Sequence, residues 1–546
     1  MACPPHPYGV KPQGQAFLEA VPDARGPGLG RLSPLSDELL LALLYQLQPA
    51  DLQRLGLASK ALYAFVHYDE VWKALVIEGL EGGMQSWHGS WRETYLAHTQ
   101  RGYKPGSHRP LQVCGLYSDL LHQPWVCASM ELMPEWLEVD NVDRVSGLSL
   151  ADFITRYELP NRPVVITDVA GSWPAVKKWT RPYLMQAFAG REVIVGNAPM
   201  RLAPYLAYAD ANADEMPLYL FDKAFALAAP QLAGDYSVPP YFADDLFEAL
   251  GEEGRPDYRW LIIGPRHSGS SFHVDPNGTS AWNAVITGAK KWILYPPGCT
   301  PPGVHISADG ADIAAPVSLM EWFLNFYDAA RNGGDSSGSD CEGSGDDGAL
   351  GGEERGAAAC GARRPRPGVV KRHASRRVRP LECIVKAGEL LFVPRGWFHM
   401  VVNLEESVAV TQNFVSPRGV DSVLAFLRTG TSIPGLVSGC EHRRGPEGLH
   451  RQFLAALAEH RPEVLAEVEA REARRRERAE RDGRLGRIFR EAAAAAAPPP
   501  QQPSKGAGGG ASGDGPCNGA AAAPAANGAQ AGPTNGAGGF TFGFAL

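Results

Sequence analysis

The order of apolar and polar positions divides the chain into segments of different texture. Up to about residue 30, Pro and Gly interrupt every run and no apolar period emerges, which predicts a flexible leader over 1–30. The spacing then turns helical: Leu39, Leu40, Leu43, Leu44 and Leu47 recur along residues 35–47. Asp51 is placed to cap a second helix carrying Leu52 and Leu55, and Val71 and Trp72 open a third. A small all-α domain is expected over 31–100, followed by a linker over 101–134. From Trp136 helical and extended pieces alternate, with a strand at 163–167. Short β-rich runs then dominate, at 260–263, 280–286, 292–295, 390–394 and 408–414, each bounded by Gly, Pro or Asn. Many short strands between turns predict a double-sheet barrel within an α+β chain.

Three segments depart from this texture. Residues 329–380 begin Gly/Ser/Asp-rich and acidic and become Arg-rich, as expected of a disordered insertion looped out of the barrel. A helical pattern dense in Glu, Arg and Ala fills 431–497, and 498–546 is Ala/Gly/Pro low complexity that should not fold alone.

Composition narrows the function classes. At 546 residues the chain exceeds one ordinary hydrophobic core. A net charge of −8 argues against a wholly basic nucleic-acid-binding surface, although local basic runs remain. The nine cysteines are scattered and never spaced as C-x-x-C, so neither a disulfide framework nor a zinc knuckle follows. No apolar run reaches secretory or membrane-spanning length, and a reducing intracellular compartment is expected.

The strongest chemical signal lies in residues 271–275. A strand period of two sends His273 and Asp275 to one face and Phe272 and Val274 to the apolar face behind them. A second imidazole, His399, follows a Pro/Gly turn at the start of another strand. Two neutral imidazoles and one carboxylate on one octahedral face suit Fe(II) and leave the opposite face open. The H-x-D pattern recurs at His67 and Asp69, but there it falls in a helical region, where positions i and i+2 diverge. Asn283, Thr411 and Asn413 are polar residues among apolar strand neighbours, and polar groups turned into a barrel need partners, which a dicarboxylate supplies. Lys290 can bind such a carboxylate. Equally, Lys290 and Lys291 can form a solvated strand-edge pair.

The segments 217–222 (PLYLFD), 258–260 (YRW), 273–276 (HVDP), 278–283 (GTSAWN), 290–292 (KKW), 392–394 (FVP), 397–399 (WFH) and 411–414 (TQNF) resemble the JmjC lysyl-hydroxylase/arginine-demethylase subfamily once called the phosphatidylserine receptor. The likeness covers over half the chain and places the JmjC domain at 135–430. It implies a double-stranded β-helix (jelly-roll or cupin) with flanking helices. It also implies iron bound by His273, Asp275 and His399, and 2-oxoglutarate bound by Ser270, Asn283, Lys290 and Thr411 with Tyr219 close by; Asn413 joins this set as a polar pocket residue. Ser270 stands where the family has Thr, which keeps the hydroxyl. The reaction implied consumes O2, decarboxylates 2-oxoglutarate to succinate and hydroxylates a substrate C–H. When that carbon is an N-methyl, the product collapses and the outcome is demethylation. A lysine or arginine side chain of a histone or RNA-processing factor is the expected substrate, and a nuclear protein the expected setting.

Residues 35–40 (LSDELL) through Leu52, 57–60 (LASK) and 71–73 (VWK) resemble an F-box, the module by which substrate receptors join a cullin-ligase adaptor. Leucine at helical spacing is also the signal of a bundle that merely packs against the barrel. The basic run from Lys371 to Arg379 is consistent with a nuclear localisation signal, a nucleic-acid contact or a solvated loop.

Overall fold

The computed structural model describes residues 3–80, 83–307, 313–333, 378–429 and 445–495. Residues up to Arg461 pack as one compact unit, and the long helix Pro462–Ala495 lies in a second. No helix among the described residues is long and apolar enough to cross a membrane.

The expected barrel is two facing sheets. The larger has nine strands, at whose centre Leu390–Val393, Ser280–Thr287, Ser407–Phe414 and Arg259–Gly264 lie side by side, consecutive neighbours antiparallel. The smaller has four, in the order Leu381–Lys386, Ala289–Tyr295, Phe398–Asn403, Gly269–His273. Val165, Ala281, Val285, Leu391 and Val393 from the large sheet bury against Trp292, Leu294, Cys383, Val385 and Val401 from the small one. Two inner apolar faces closing on each other make the sandwich. Helix Leu319–Arg331 covers the outside of the small sheet: Ser318 caps it by accepting from the Glu321 N–H, and Leu319, Trp322, Phe323 and Tyr327 face inward with Phe272 and Tyr295.

The N-terminal helices run Asp37–Leu44, Pro49–Leu55, Lys60–Val66, Glu70–Ile77 and Trp91–Thr99. Ser36, Ser59 and Ser90 cap three of them. Asp51 does not cap: Pro49 takes the first helical position, where its missing N–H costs nothing, and Asp51 falls inside the first turn. These helices do not form a separate all-α domain. Leu40, Trp72 and Trp91 belong to a core that continues through Tyr205 and Trp282 to Phe414. Asp214 ties the two parts, accepting from the Trp91 indole at 2.9 Å and the Tyr208 hydroxyl at 2.7 Å and pairing with Lys73 at 3.2 Å.

The segments expected to be a flexible leader and a linker hold each other instead. In the 1–30 leader Val10 is buried, the Gln13 N–H donates to Asp119, and the Pro4 and Pro7 carbonyls accept from Trp125 and Gln112. Within 101–134, Ser118 caps a helix at Asp119–Ser129. A Pro-rich backbone lacks donors, but its carbonyls still accept, and a few buried side chains suffice to anchor it. Most of the 329–380 insertion, the basic run from Lys371 and the 498–546 tail lie outside the described residues.

Candidate active site

His273 is the last residue of strand Gly269–His273, and His399 is the second of Phe398–Asn403; the two strands are neighbours and pair His399 directly opposite His273. The imidazole centroids are 4.1 Å apart. Asp275 follows two residues after His273, just before Pro276 opens a tight turn, and ligand atoms of all three residues lie within 4.8 Å of one another. Phe272 and Val274 pack on the opposite side, as the period of two requires.

Backbone carbonyls orient both imidazoles. His273 Nδ1 bonds the Ser271 carbonyl at 2.8 Å and His399 Nδ1 bonds the Trp397 carbonyl at 3.0 Å. A carbonyl only accepts, so each Nδ1 carries the proton and each Nε2 carries the lone pair, the tautomer a metal ligand needs. Burial, with the neighbouring His399 adding to it, lowers His273 to about 3, and burial lowers His399 to about 4, so both rings are neutral at physiological pH. Burial raises Asp275 to about 6, against the pull of His273 and a hydrogen bond from Asn413. The donor set fits a divalent metal: two neutral nitrogens and a carboxylate whose charge is otherwise uncompensated.

Beside the three ligands opens a pocket walled by Phe221, Trp260 and Trp292 and bearing Ser270, Asn283 and Thr411. At its inner end Lys290 is fully buried, and its ammonium donates to the Tyr219 hydroxyl and to Asn403 Oδ1, both at 2.8 Å. No carboxylate among the described residues pairs with it, and burial alone lowers it to about 7. A cation held there without a counter-charge fits a ligand that brings an anion. Thr411 donates to the Trp282 carbonyl and Asn413 to Thr279 Oγ1, so these two serve partly to hold the strands and the Asp275 turn.

Of the residues singled out in the sequence, His273, Asp275, His399, Ser270, Asn283, Thr411, Tyr219 and Asn413 line this pocket, with Lys290 behind Tyr219. The strand-edge reading of the lysines fails, because Ala289–Tyr295 is an inner strand and Lys291 is buried against Glu382 at 2.7 Å on the other face. His67 and Asp69 do not converge on a metal: Asp69 turns to accept the N–H groups of Trp91 and Arg92 at the start of the next helix. Asn403, which orients Lys290 and is itself held by Ser268 at 2.8 Å, was not anticipated. Its signal was a polar residue closing the apolar run 400–402, in register with Lys290.

Comparison with known proteins agrees with this geometry. A family profile described as a cupin-like domain matches residues 150–418. The chain is 43% identical to the Arginine-specific demethylase JMJ22 of Arabidopsis thaliana over 86% of its own length and 85% of the relative's. It is 34% identical to the Lysine-specific demethylase JMJ21 of the same plant, over 76% of this chain and 40% of that one. Identity to the Bifunctional arginine demethylase and lysyl-hydroxylase psr-1 of Caenorhabditis elegans is 32%, over 61% and 72%. The two-histidine, one-carboxylate cluster and these similarities together show that the chain belongs to the JmjC/cupin family of Fe(II)- and 2-oxoglutarate-dependent oxygenases, related to its lysyl-hydroxylase and arginine-demethylase members.

Proposed function

We propose that this oxygenase hydroxylates or N-demethylates a lysine or arginine side chain of a protein, with His273, Asp275 and His399 as the metal ligands. The observation that carries the assignment is the clustering of those three donors next to a buried, uncompensated Lys290. Bound iron and 2-oxoglutarate supply the oxidation, in which one atom of O2 enters the keto acid as it becomes succinate and carbon dioxide and the other enters a substrate C–H. Lys290, steered by Tyr219 and Asn403, binds the distal carboxylate of the keto acid. Ser270, Asn283 and Thr411 satisfy its remaining polar atoms, and Asn413 holds the Asp275 carboxylate in place. Phe221, Trp260 and Trp292 exclude water and offer aromatic faces to an alkyl-ammonium or guanidinium side chain. If the attacked carbon is N-methyl, the carbinolamine product expels formaldehyde and leaves the demethylated nitrogen. The names of the plant and nematode relatives support lysine and arginine as the residue class; a histone or RNA-processing factor in the nucleus is the substrate and setting the proposal adds to it.

Purified protein supplied with iron and 2-oxoglutarate is expected to release succinate, and His273→Ala to abolish that release. Equal output from the two proteins overturns the assignment. Formaldehyde release from methylated peptides, set against a 16 Da gain on unmethylated ones, separates the two outcomes.

A second reading rests on the surface of the N-terminal helices. Leu39, Leu43 and Leu57 are exposed there, Leu57 by 87%, which is unusual for leucines so close in sequence. Such a surface suits the adaptor contact of an F-box. Recovery of a cullin-ligase adaptor with the full chain, and its loss in Leu39→Glu/Leu57→Glu, is the outcome this reading requires.

A further inference from the structure

The described residues line a second cavity, larger than the first at about 400 Å³, where the N-terminal residues, the first helices and the 213–215 loop meet. Its lining carries the carboxylates of Asp69, Glu70, Glu93, Asp214 and Glu215 against a single guanidinium, Arg92, which lies 3.5 Å from Glu93. Four of these acids are already engaged. Asp69 accepts two backbone N–H groups, Glu70 and Asp214 share Lys73, and Glu93 accepts from Tyr103 and Gly106. Glu215 makes no hydrogen bond or ion pair among the described residues, and burial raises it to about 7.

An independent observation comes from His67, which also lines this cavity and is 7% exposed. Its Nδ1 bonds the Tyr63 carbonyl at 2.8 Å and so must carry the proton, while its Nε2 has no partner among the described residues. Burial holds the ring neutral. Nε2 is therefore a lone pair able only to accept, and a buried acceptor destabilises the fold unless a ligand supplies a donor. The same cavity presents the faces of Tyr8, Tyr68 and Trp125. A free anion is disfavoured there, because it would meet five carboxylates and one guanidinium.

We propose that this cavity is a second binding site, for an organic cation bearing N–H donors such as a guanidinium or alkyl-ammonium group, with Glu215 as its counter-charge, His67 Nε2 as a hydrogen-bond acceptor and the aromatic faces as its walls. The site shares no residue with the iron pocket, so it is an anchoring position rather than a place of chemistry. The ligand's source is either a free polyamine or the basic side chain of a peptide, and the two are separable by experiment.

The test is calorimetric titration of the full chain with L-argininamide, with spermidine, with an arginine- and lysine-containing peptide, and with sodium sulfate. Saturable binding of at least one cationic probe is expected, weakened about tenfold or more by Glu215→Gln, as befits loss of a charge-assisted hydrogen bond. His67→Phe, which keeps the ring stack on His108, is expected to weaken the same probe while succinate output stays at the wild-type level. Preference for the peptide over spermidine assigns the site to a protein ligand, and the reverse to a polyamine. Binding that neither substitution weakens, no binding of any cation, or binding of sulfate alone overturns the proposal.

Discussion

Lys290 holds a buried cation without a counter-charge and so gives the most specific residue-scale predictions. Its ammonium is surrounded by the Tyr219 hydroxyl and Asn403 and by no anion, which lowers it to about 7 before co-substrate arrives. A bound carboxylate favours the charged form and raises that value, so binding 2-oxoglutarate takes up a proton whenever the pH exceeds about 7. Affinity is therefore full below that value and falls as pH rises through it, by at most about tenfold per pH unit. Titrations in buffers of different ionisation enthalpy should show this proton uptake at pH 8 and little at pH 6. Lys290→Met, which fills the same space without charge, should raise the KM for 2-oxoglutarate by roughly 10- to 100-fold, as expected for loss of a buried charge-assisted pair, with a smaller effect on kcat. Asn403→Ala should reproduce part of that change, because it leaves Lys290 one partner fewer. The lysine was legible only in part. Two adjacent lysines read alone as a solvated edge, and it is the position of their strand inside the small sheet that buries Lys290 beneath Tyr219 and sends Lys291 to Glu382.

Among the elements, what could be read from sequence depended on whether an element has two unlike faces. Residues 271–275 alternate, so the side occupied by His273 and Asp275 was evident. In Lys60–Val66 every residue from Ala61 to Val66 is buried, so the segment has no polar stripe, and that helix was missed. The approach of the two histidine-bearing strands was equally hidden, because it depends on a position with no side chain. At Gly269 an added Cβ would lie 2.0 Å from the Val401 carbonyl oxygen, against the strand that carries His399. Gly269→Ala should therefore push Gly269–His273 away from Phe398–Asn403 and cost about 1–3 kcal/mol through overpacking. Since His273 and His399 face each other across that pairing, iron affinity should fall with stability. Denaturant unfolding and iron content after dialysis would check both, and a variant with wild-type values of each would show that the pairing does not set the metal geometry.

At the scale of the whole molecule the question is whether the N-terminal helices are an appendage of the oxygenase or part of it. Composition and the F-box likeness pointed to an appendage on a linker, because local patterns cannot report which distant surface a leucine or tryptophan will meet. The continuous core from Leu40 to Phe414, and the packing of residues 3–30 against 112–125, point to a part. Asp214 decides between them. It is almost fully buried, lies beyond the helices in sequence, and is held by Trp91, Tyr208 and Lys73 at once. Asp214→Ala strands the Lys73 ammonium with Glu70 alone and leaves the Trp91 indole and the Tyr208 hydroxyl without their acceptor, a change that should cost about 3–5 kcal/mol. If the helices and barrel share one core, that loss appears in a single cooperative transition, with tryptophan fluorescence and succinate output failing at the same, lower denaturant concentration. An appendage would behave otherwise. Two transitions would separate, the first moved by the substitution and the second, which reports the iron pocket, left where it stands in the wild type.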